Sequence, residues 1–399
     1  MSKLKGSFLP EGFFIRDWSV WTGGVLLALL ALGVFVWHDM WGITAGFRNW
    51  GDWFFYGVGL YPERPEKVWL HPGSITNAGL LAGAVAAAFL SGRIRLRRSS
   101  WYGYVKSLTG GTLMGIGAAL AAGCNVGGFY NATAMFSLGG YAMLPGLILG
   151  GYLGVRFLRW ELYNIATRLR AQCPCKTEGK SDNAPEQVSS LGVLAGWCFV
   201  FFLAGLFLYY LFQGHAREAG LLLLGALIGI TLQRSRLCFA QAFREPFING
   251  DYAMVKVIAF SLVIYGLGAG LLKLALIQPE SAGVQHPFWL GSFSGGVIFG
   301  FGMLQAGTCA TGTLWRAGEG HVRVMLSMLA FAVFSSLGFF LVQKFEPAGF
   351  LGEAFFLPEL MGWPLSFLFF LAVPLLWLAL AAWNAKTGRM AVFGSPRDG

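Results

Sequence analysis

Charge is what this sequence has least of. Only 12% of its 399 residues are Asp, Glu, Lys or Arg, roughly half the share that a soluble domain carries. That shortage excludes a water-facing globule, whose surface needs charge on every side. Histidine is scarcer still, with five in the chain, and Asp and Glu together number 19. No metal-ligand spacing and no HExxH, Walker, GxSxG or paired-acid pattern occurs, so nothing argues for a hydrolase, a nucleotide-driven pump or a bound metal. No catalytic residue and no cofactor is expected. The six cysteines are too scattered for a disulfide framework: Cys124, Cys198, Cys238 and Cys309 lie in or beside apolar runs, while Cys173 and Cys175 fall in a basic loop.

What the chain has instead is apolar length. Hydrophobic residues make up 56% of it, gathered into uncharged runs of about 20 residues, enough to span a bilayer core at helical rise. The runs do not alternate polar and apolar residues, which disfavours a membrane β-barrel. The expected class is an all-α, polytopic helical membrane protein. The net charge of +10 is concentrated in short loops, as the positive-inside rule produces, and implies no nucleic-acid partner.

Taken in order, a first span over about 18–37 follows Lys3, Lys5 and Arg16, which places the N-terminus in the cytoplasm. It is too long and lacks the small-residue signature of a cleaved leader. Residues 38–72, rich in aromatics, read as an interfacial helix or belt on the outer side. Further spans are expected over about 75–90, 107–123, 141–158, 191–213, 219–233, 253–277, 293–308, 324–343 and 363–384, about ten crossings with both termini inside. The resulting division is 1–72 as an N-terminal span and outer segment, 73–172 as a first repeat half, 173–190 as a cytoplasmic linker and 191–399 as a second half.

One stretch is written twice. Gly110-Gly111 to Gly127 and Gly295-Gly296 to Gly312 both follow GG-x3-G-x-G-x6-C-x2-G without a gap. Loop charges place the copies on opposite faces, so they are expected to form inverted repeats whose short broken helices meet at a central constriction. Each copy ends at a cysteine, Cys124 or Cys309, followed by residues suited to start a new helix: Asn125 in one, Thr311 and Thr313 in the other. Such a start offers unpaired N–H groups and a partial positive charge, which can hold an anion. Gly123, Gly127, Thr308 and Gly312 would bring backbone close to a solute. The plain alternative is that both cysteines are small packing residues. Cys238 follows Arg234 and Arg236 and precedes Arg244, so its thiol is expected about one turn from two guanidiniums. These arginines, with Arg316 and Glu319, are either interfacial markers or an electropositive, ion-paired mouth.

The stretches A-G-C-N-V-G-G-F-Y (122–130), L-Q-R-S-R-L-C-F-A-Q-A-F-R (232–244) and G-F-G-M-L-Q-A-G-T-C-A-T-G-T-L-W-R-A-G-E-G (300–320) resemble the YeeE/YedE family of sulfur-transport membrane proteins, over about 75–385. The resemblance implies an hourglass-shaped helical protein that takes up thiosulfate or a similar small anion across a bacterial inner membrane. It also implies that Cys124, Cys238 and Cys309 hand the anion along by S–H···S hydrogen bonds. The motif order is similar to the longer YedE type, associated in some members with selenium metabolism. The chain carries no appended sulfur-carrier domain, so a TusA-like acceptor would be a separate cytoplasmic protein. A membrane sulfurtransferase and an anchor for such a carrier are the other readings. Thiosulfate is a dianion, and weak successive sites in a desolvated passage suit its transit.

Overall fold

The computed structural model describes residues 16–166, 190–284, 287–345 and 351–393. Among these residues the chain forms helices and no strand, the arrangement that lets each lipid-facing segment pair its own backbone groups. Among the described residues nine helices are long and apolar enough to cross a membrane, and a tenth crossing results if one pair bent by 42° is counted as a single span. This is a polytopic helical membrane protein. The expected linker with Cys173 and Cys175, and His286, lie outside the described residues.

The first set of helices is α1 (Val20–Trp37), α2 (Thr44–Gly57), α3 (Pro72–Leu90), α4 (Trp101–Leu120), α5 (Asn125–Ala134) and α6 (Leu138–Glu161). After α7 (Ser190–Phe212) comes a second set: α8 (Ala216–Ser235), α9 (Phe239–Ile248), α10 (Ala253–Leu274), α11 (Leu290–Ala306), α12 (Ala310–Gly318) and α13 (Val322–Phe345). A last helix, α14 (Leu357–Thr387), follows. The main packing pairs correspond between the sets. Helix α4 packs on α13 as α11 packs on α6, α3 on α8 as α10 on α1, and α2 on α13 as α9 on α6.

The doubled glycine motif is the seam of this arrangement. A Cβ added at Gly110 would lie 2.3 Å from the Ala306 nitrogen, and one at Gly117 would lie 2.6 Å from that of Phe299. From the other side, Gly295 would meet the Gly117 oxygen at 2.6 Å and Gly302 the Met114 nitrogen at 2.8 Å. So the outer glycines of each copy let α4 and α11 touch backbone to backbone. The inner pairs face outward in matching fashion: Gly111 and Gly115 against α13, Gly296 and Gly300 against α6. In lipid, where apolar burial drives little association, such close approach is a main source of helix–helix attraction.

Within the segment expected at the outer side, helix α2 buries Phe47, Asn49, Gly51 and Phe55 against α3 and α13. Phe47 meets Trp50 and Phe331 edge to face, with ring centroids 5.2 and 4.9 Å apart.

Lys273 in α10 is fully buried. Its ammonium donates to the carbonyls of Met135, Glu280 and Ala282 at 3.2, 2.8 and 2.8 Å and lies 4.6 Å from the Phe356 ring centre. It thereby ties the end of α5 to the loop after α10. Lys273→Met should remove the donor and leave the buried Met135 carbonyl unsatisfied, at about 1–3 kcal/mol, besides freeing the two partly exposed carbonyls. The expected result is a melting temperature in detergent lowered by several degrees; unchanged melting would show that the tie does not hold the fold.

Candidate functional site

Three of the four described cysteines sit at the same kind of break. Helix α4 ends, Ala122 turns left-handed (φ 54°), and Cys124 caps the start of α5. Helix α8 ends, Arg236 turns left-handed (φ 57°), and Cys238 caps α9. Helix α11 ends, Gly307 turns left-handed (φ 73°), and Cys309 caps α12. In each case the turn residue stands two positions before the cysteine. For Ala122 and Arg236 the left-handed backbone costs about 1–2 kcal/mol, a strain of the kind that persists where the surroundings enforce it.

All three thiols are buried, and two of them meet. Cys238 and Cys309 are close neighbours, near enough to influence each other's charge. The Gly312 N–H donates to the Cys309 sulfur at 3.3 Å. The starts of the short helices α9 and α12 thus meet at one pair of sulfurs. Cys124 is not part of that pair. Its own N–H donates to the Thr44 hydroxyl, 3.0 Å away, at the start of α2. Its helix reaches the other two through neighbouring rings: Tyr130 of α5 and Phe239 of α9 stand 5.4 Å apart, edge to face.

Around these breaks, buried polar atoms go unpaired. Both amide atoms of Asn125, the Thr311 hydroxyl, the Gln241 oxygen and the Gln305 nitrogen have no partner among the described residues. Buried polar groups are normally hydrogen-bonded, so each such orphan needs an explanation; these five atoms stand within three residues of a helix break, and others lie elsewhere in the described core. Thr308 is engaged, donating to the Cys309 carbonyl at 3.3 Å. A Cβ at Gly312 would lie 2.3 Å from the Thr308 hydroxyl, so a larger residue there would displace that hydroxyl at the start of α12.

The arginines are placed differently from the expectation of two guanidiniums over Cys238. The left-handed turn at Arg236 redirects the chain, and both side chains are engaged elsewhere. Arg236 pairs with the buried Glu319 carboxylate at 3.0 Å, to which Gln233 also donates at 2.9 Å. Arg234, fully buried, donates to the Arg16 carbonyl at 2.5 Å and lies 3.7 Å from Asp17. Arg244 pairs with its neighbour Glu245. The guanidinium close enough to act on Cys238 is Arg316, which donates to the Gly307 carbonyl at 3.0 Å. Trp315 carries Arg316 and Arg236 over its ring, at 5.0 and 5.5 Å from the ring centre.

At the Cys124 break a cavity of about 540 Å³ opens, reaching Thr44, Arg48, Asn49, His71, Gly123 and Gly127. His71, just ahead of α3, accepts from the Ser74 N–H at 3.2 Å. Its pKa is lowered, chiefly by burial, which favours the neutral ring near pH 7 and keeps that nitrogen an acceptor.

A family model described as sulphur transport matches residues 3–153 and 234–395, most of the chain and all three cysteine breaks. The chain belongs to the sulphur transport family. It is 25% identical over 357 residues to a probable transporter YedE of Salmonella typhimurium, covering 85% of each chain. It is also 34% identical over 117 residues to the thiosulfate transporter TsuA of Escherichia coli, covering 29% of this chain and 32% of that one. A second thiosulfate transporter TsuA, from Spirochaeta thermophila, is 35% identical over 113 residues, covering 28% and 33%.

In this sulphur transport protein the residue that sequence reasoning missed is Thr44. No motif announces it, because its role is to receive an N–H from a residue 80 positions away. The signal available was positional: it opens the short helix after α1, as Phe239 opens the short helix after α8. Thr44→Val keeps the shape and removes the acceptor, leaving the Cys124 N–H buried and unpaired at about 1–3 kcal/mol. Uptake of the transported anion should fall several-fold with the protein still folded; unchanged uptake would remove Thr44 from the site.

Proposed function

We propose that this protein takes up thiosulfate, or a closely related sulfur-containing anion, through a passage lined in turn by Cys124, Cys309 and Cys238. The observation that carries the proposal is the triple break: three buried thiols each begin a short helix, and orphaned polar atoms gather beside them. Helix starts offset the desolvation of an anion by supplying N–H groups and dipole charge. A thiol donates weakly to a terminal sulfur, so no station holds the anion long enough to stop conduction. Cys238 and Cys309, already neighbours, would part to admit the anion's sulfur between them. Asn125 and Thr311, with Gly123, Gly127, Thr308 and Gly312 shaping the backbone, would receive its oxygens.

On this reading the cavity at Cys124 faces outward, the arginine-rich loops face the cytoplasm, and both termini lie inside a bacterial inner membrane. The Arg316 side would deliver the anion to a separate acceptor such as a TusA-like sulfur carrier. The protein performs no covalent chemistry. The repeat units are α1–α6 and α8–α13, inserted with opposite orientation, so that α1 and α2 belong to the first unit. The names of the relatives, probable transporter and thiosulfate transporter, support transport over sulfur transfer. Proteoliposomes containing only this protein should accumulate radiolabelled thiosulfate, with unlabelled sulfite and selenite competing less well than thiosulfate. Vesicles that take up no more label than protein-free ones would reject the proposal.

A further inference from the structure

Where α6 ends and the chain emerges from α14, a cleft of about 520 Å³ is bordered by Arg156, Arg159, Trp160, Tyr163 and Arg389. Among the described residues no Asp or Glu lines it; Glu161 and Glu245 are paired with Lys106 and Arg244. The cleft does not end at its basic rim. Met390 also lines a second, apolar hollow of about 100 Å³ that runs along α14 between Trp377, Leu380 and Trp383, with Phe243 and Phe247 of α9 as its far wall. Tyr152 and Phe247, whose rings stand 5.6 Å apart, one from each hollow, mark the junction. The segment after α14 is pinned across it: Arg159 donates to the Val392 carbonyl at 2.8 Å and the Val392 N–H to the Phe247 carbonyl at 2.7 Å, while Asn384 within α14 donates to the Pro246 carbonyl at 2.7 Å.

Three arginines with aromatic neighbours at a helix end, opening onto an apolar channel between membrane helices, match both halves of one molecule. Guanidiniums suit a phosphate, Trp and Tyr suit the headgroup level, and an apolar hollow along a helix suits an acyl chain. We propose that this cleft binds one anionic phospholipid of the surrounding bilayer, its phosphate on Arg156, Arg159 and Arg389 and one chain in the hollow against α9. A neutral phospholipid lacks the net charge that three arginines select. Because α9 begins at Cys238, the lipid bears on the helix that positions the thiol pair. The site depends on the membrane class of the protein and not on which anion it carries, so the two proposals stand or fall separately.

The test uses the full-length protein, washed in detergent and examined by native mass spectrometry with phosphatidylglycerol or phosphatidylcholine added. One phosphatidylglycerol per chain should be retained, with Arg156→Ala/Arg389→Ala weakening retention at least about tenfold. Ala381→Trp, which fills the hollow without touching the arginines, should weaken it as well. Inorganic phosphate should not displace the lipid; displacement by phosphate would show a free-anion site and overturn the proposal, as would equal retention of phosphatidylcholine. A second measurement needs no variant. Phosphatidylglycerol with brominated chains should quench tryptophan emission of the native protein more than brominated phosphatidylcholine at equal mole fraction, because Trp377 and Trp383 line the hollow. Equal quenching would overturn the site even if the arginine variants failed to fold.

Discussion

Cys309→Ser should lower thiosulfate uptake at least about tenfold while leaving a folded, membrane-inserted protein, and Cys309→Ala should do at least as much. Cys309 is the most connected of the three thiols: it neighbours Cys238 and accepts from the Gly312 N–H at 3.3 Å. A serine hydroxyl fits in the space and still accepts from Gly312. It does not reproduce a soft, polarisable sulfur toward the terminal sulfur of thiosulfate, and its shorter bond withdraws the donor from Cys238. Tenfold corresponds to about 1.4 kcal/mol, within the range of a single lost hydrogen bond in a buried setting. Cys238→Ser should show a loss of similar size, and the double variant should lose little more than either alone, because residues that act as one contact are not additive. Uptake by Cys309→Ser at the native rate would remove the thiol relay from the account.

The largest effect on folding should come from the seam between α4 and α11. Gly117→Leu would drive a side chain into the backbone of α11, since even a Cβ there would stand 2.6 Å from the Phe299 nitrogen and 2.7 Å from the Gly295 oxygen. Gly302→Leu makes the reciprocal intrusion, at 2.8 Å from the Met114 nitrogen. Neither obstacle is a flexible side chain that can turn away, so the helices themselves must separate. Overpacking of this kind costs about 1–3 kcal/mol even for small additions, and four carbons against main chain exceed that. Both variants should fail to give a monodisperse peak on size-exclusion chromatography in detergent. Gly205→Ala, on α7 with nothing within 4 Å of the added carbon, should behave as the native protein. A monodisperse Gly117→Leu protein would mean that the seam is not needed for assembly.

The parts of this protein that were legible in its sequence are those written by composition or by repetition. Apolar length fixed the class, and the duplicated motif pointed to both Cys124 and Cys309 and to breaks after them. The motif nevertheless merged two tasks that the structure separates. Its glycines build the seam, and only its last residues, from the left-handed turn to the cysteine, form the candidate site. The break before Cys238 has no glycine to announce it, because Arg236 itself takes the left-handed turn. Its identity with the other two is one of backbone shape. The same turn explains why Arg234 and Arg236 are not over the thiol: adjacency in sequence says little about direction once the helix has ended. Arg316, farther along the chain, takes that place through the folding of α12. In helix α2 the charges Arg48 and Asp52 stand four residues apart and lie 3.8 Å from each other, so the sequence shows one polar stripe plainly. The opposite stripe of Phe47, Gly51 and Phe55 becomes informative only when α13 and α3 are there to cover it.

The most direct test of the central claim follows thiosulfate labelled separately on its two sulfur atoms into proteoliposomes that contain this protein alone. If the thiols pass the anion along by hydrogen bonds, both labels enter in a one-to-one ratio, no label stays on the protein after denaturation, and Cys309→Ser stops both together. Terminal sulfur left covalently on a cysteine, with the sulfonate sulfur remaining outside, would contradict the account and make the protein a sulfurtransferase.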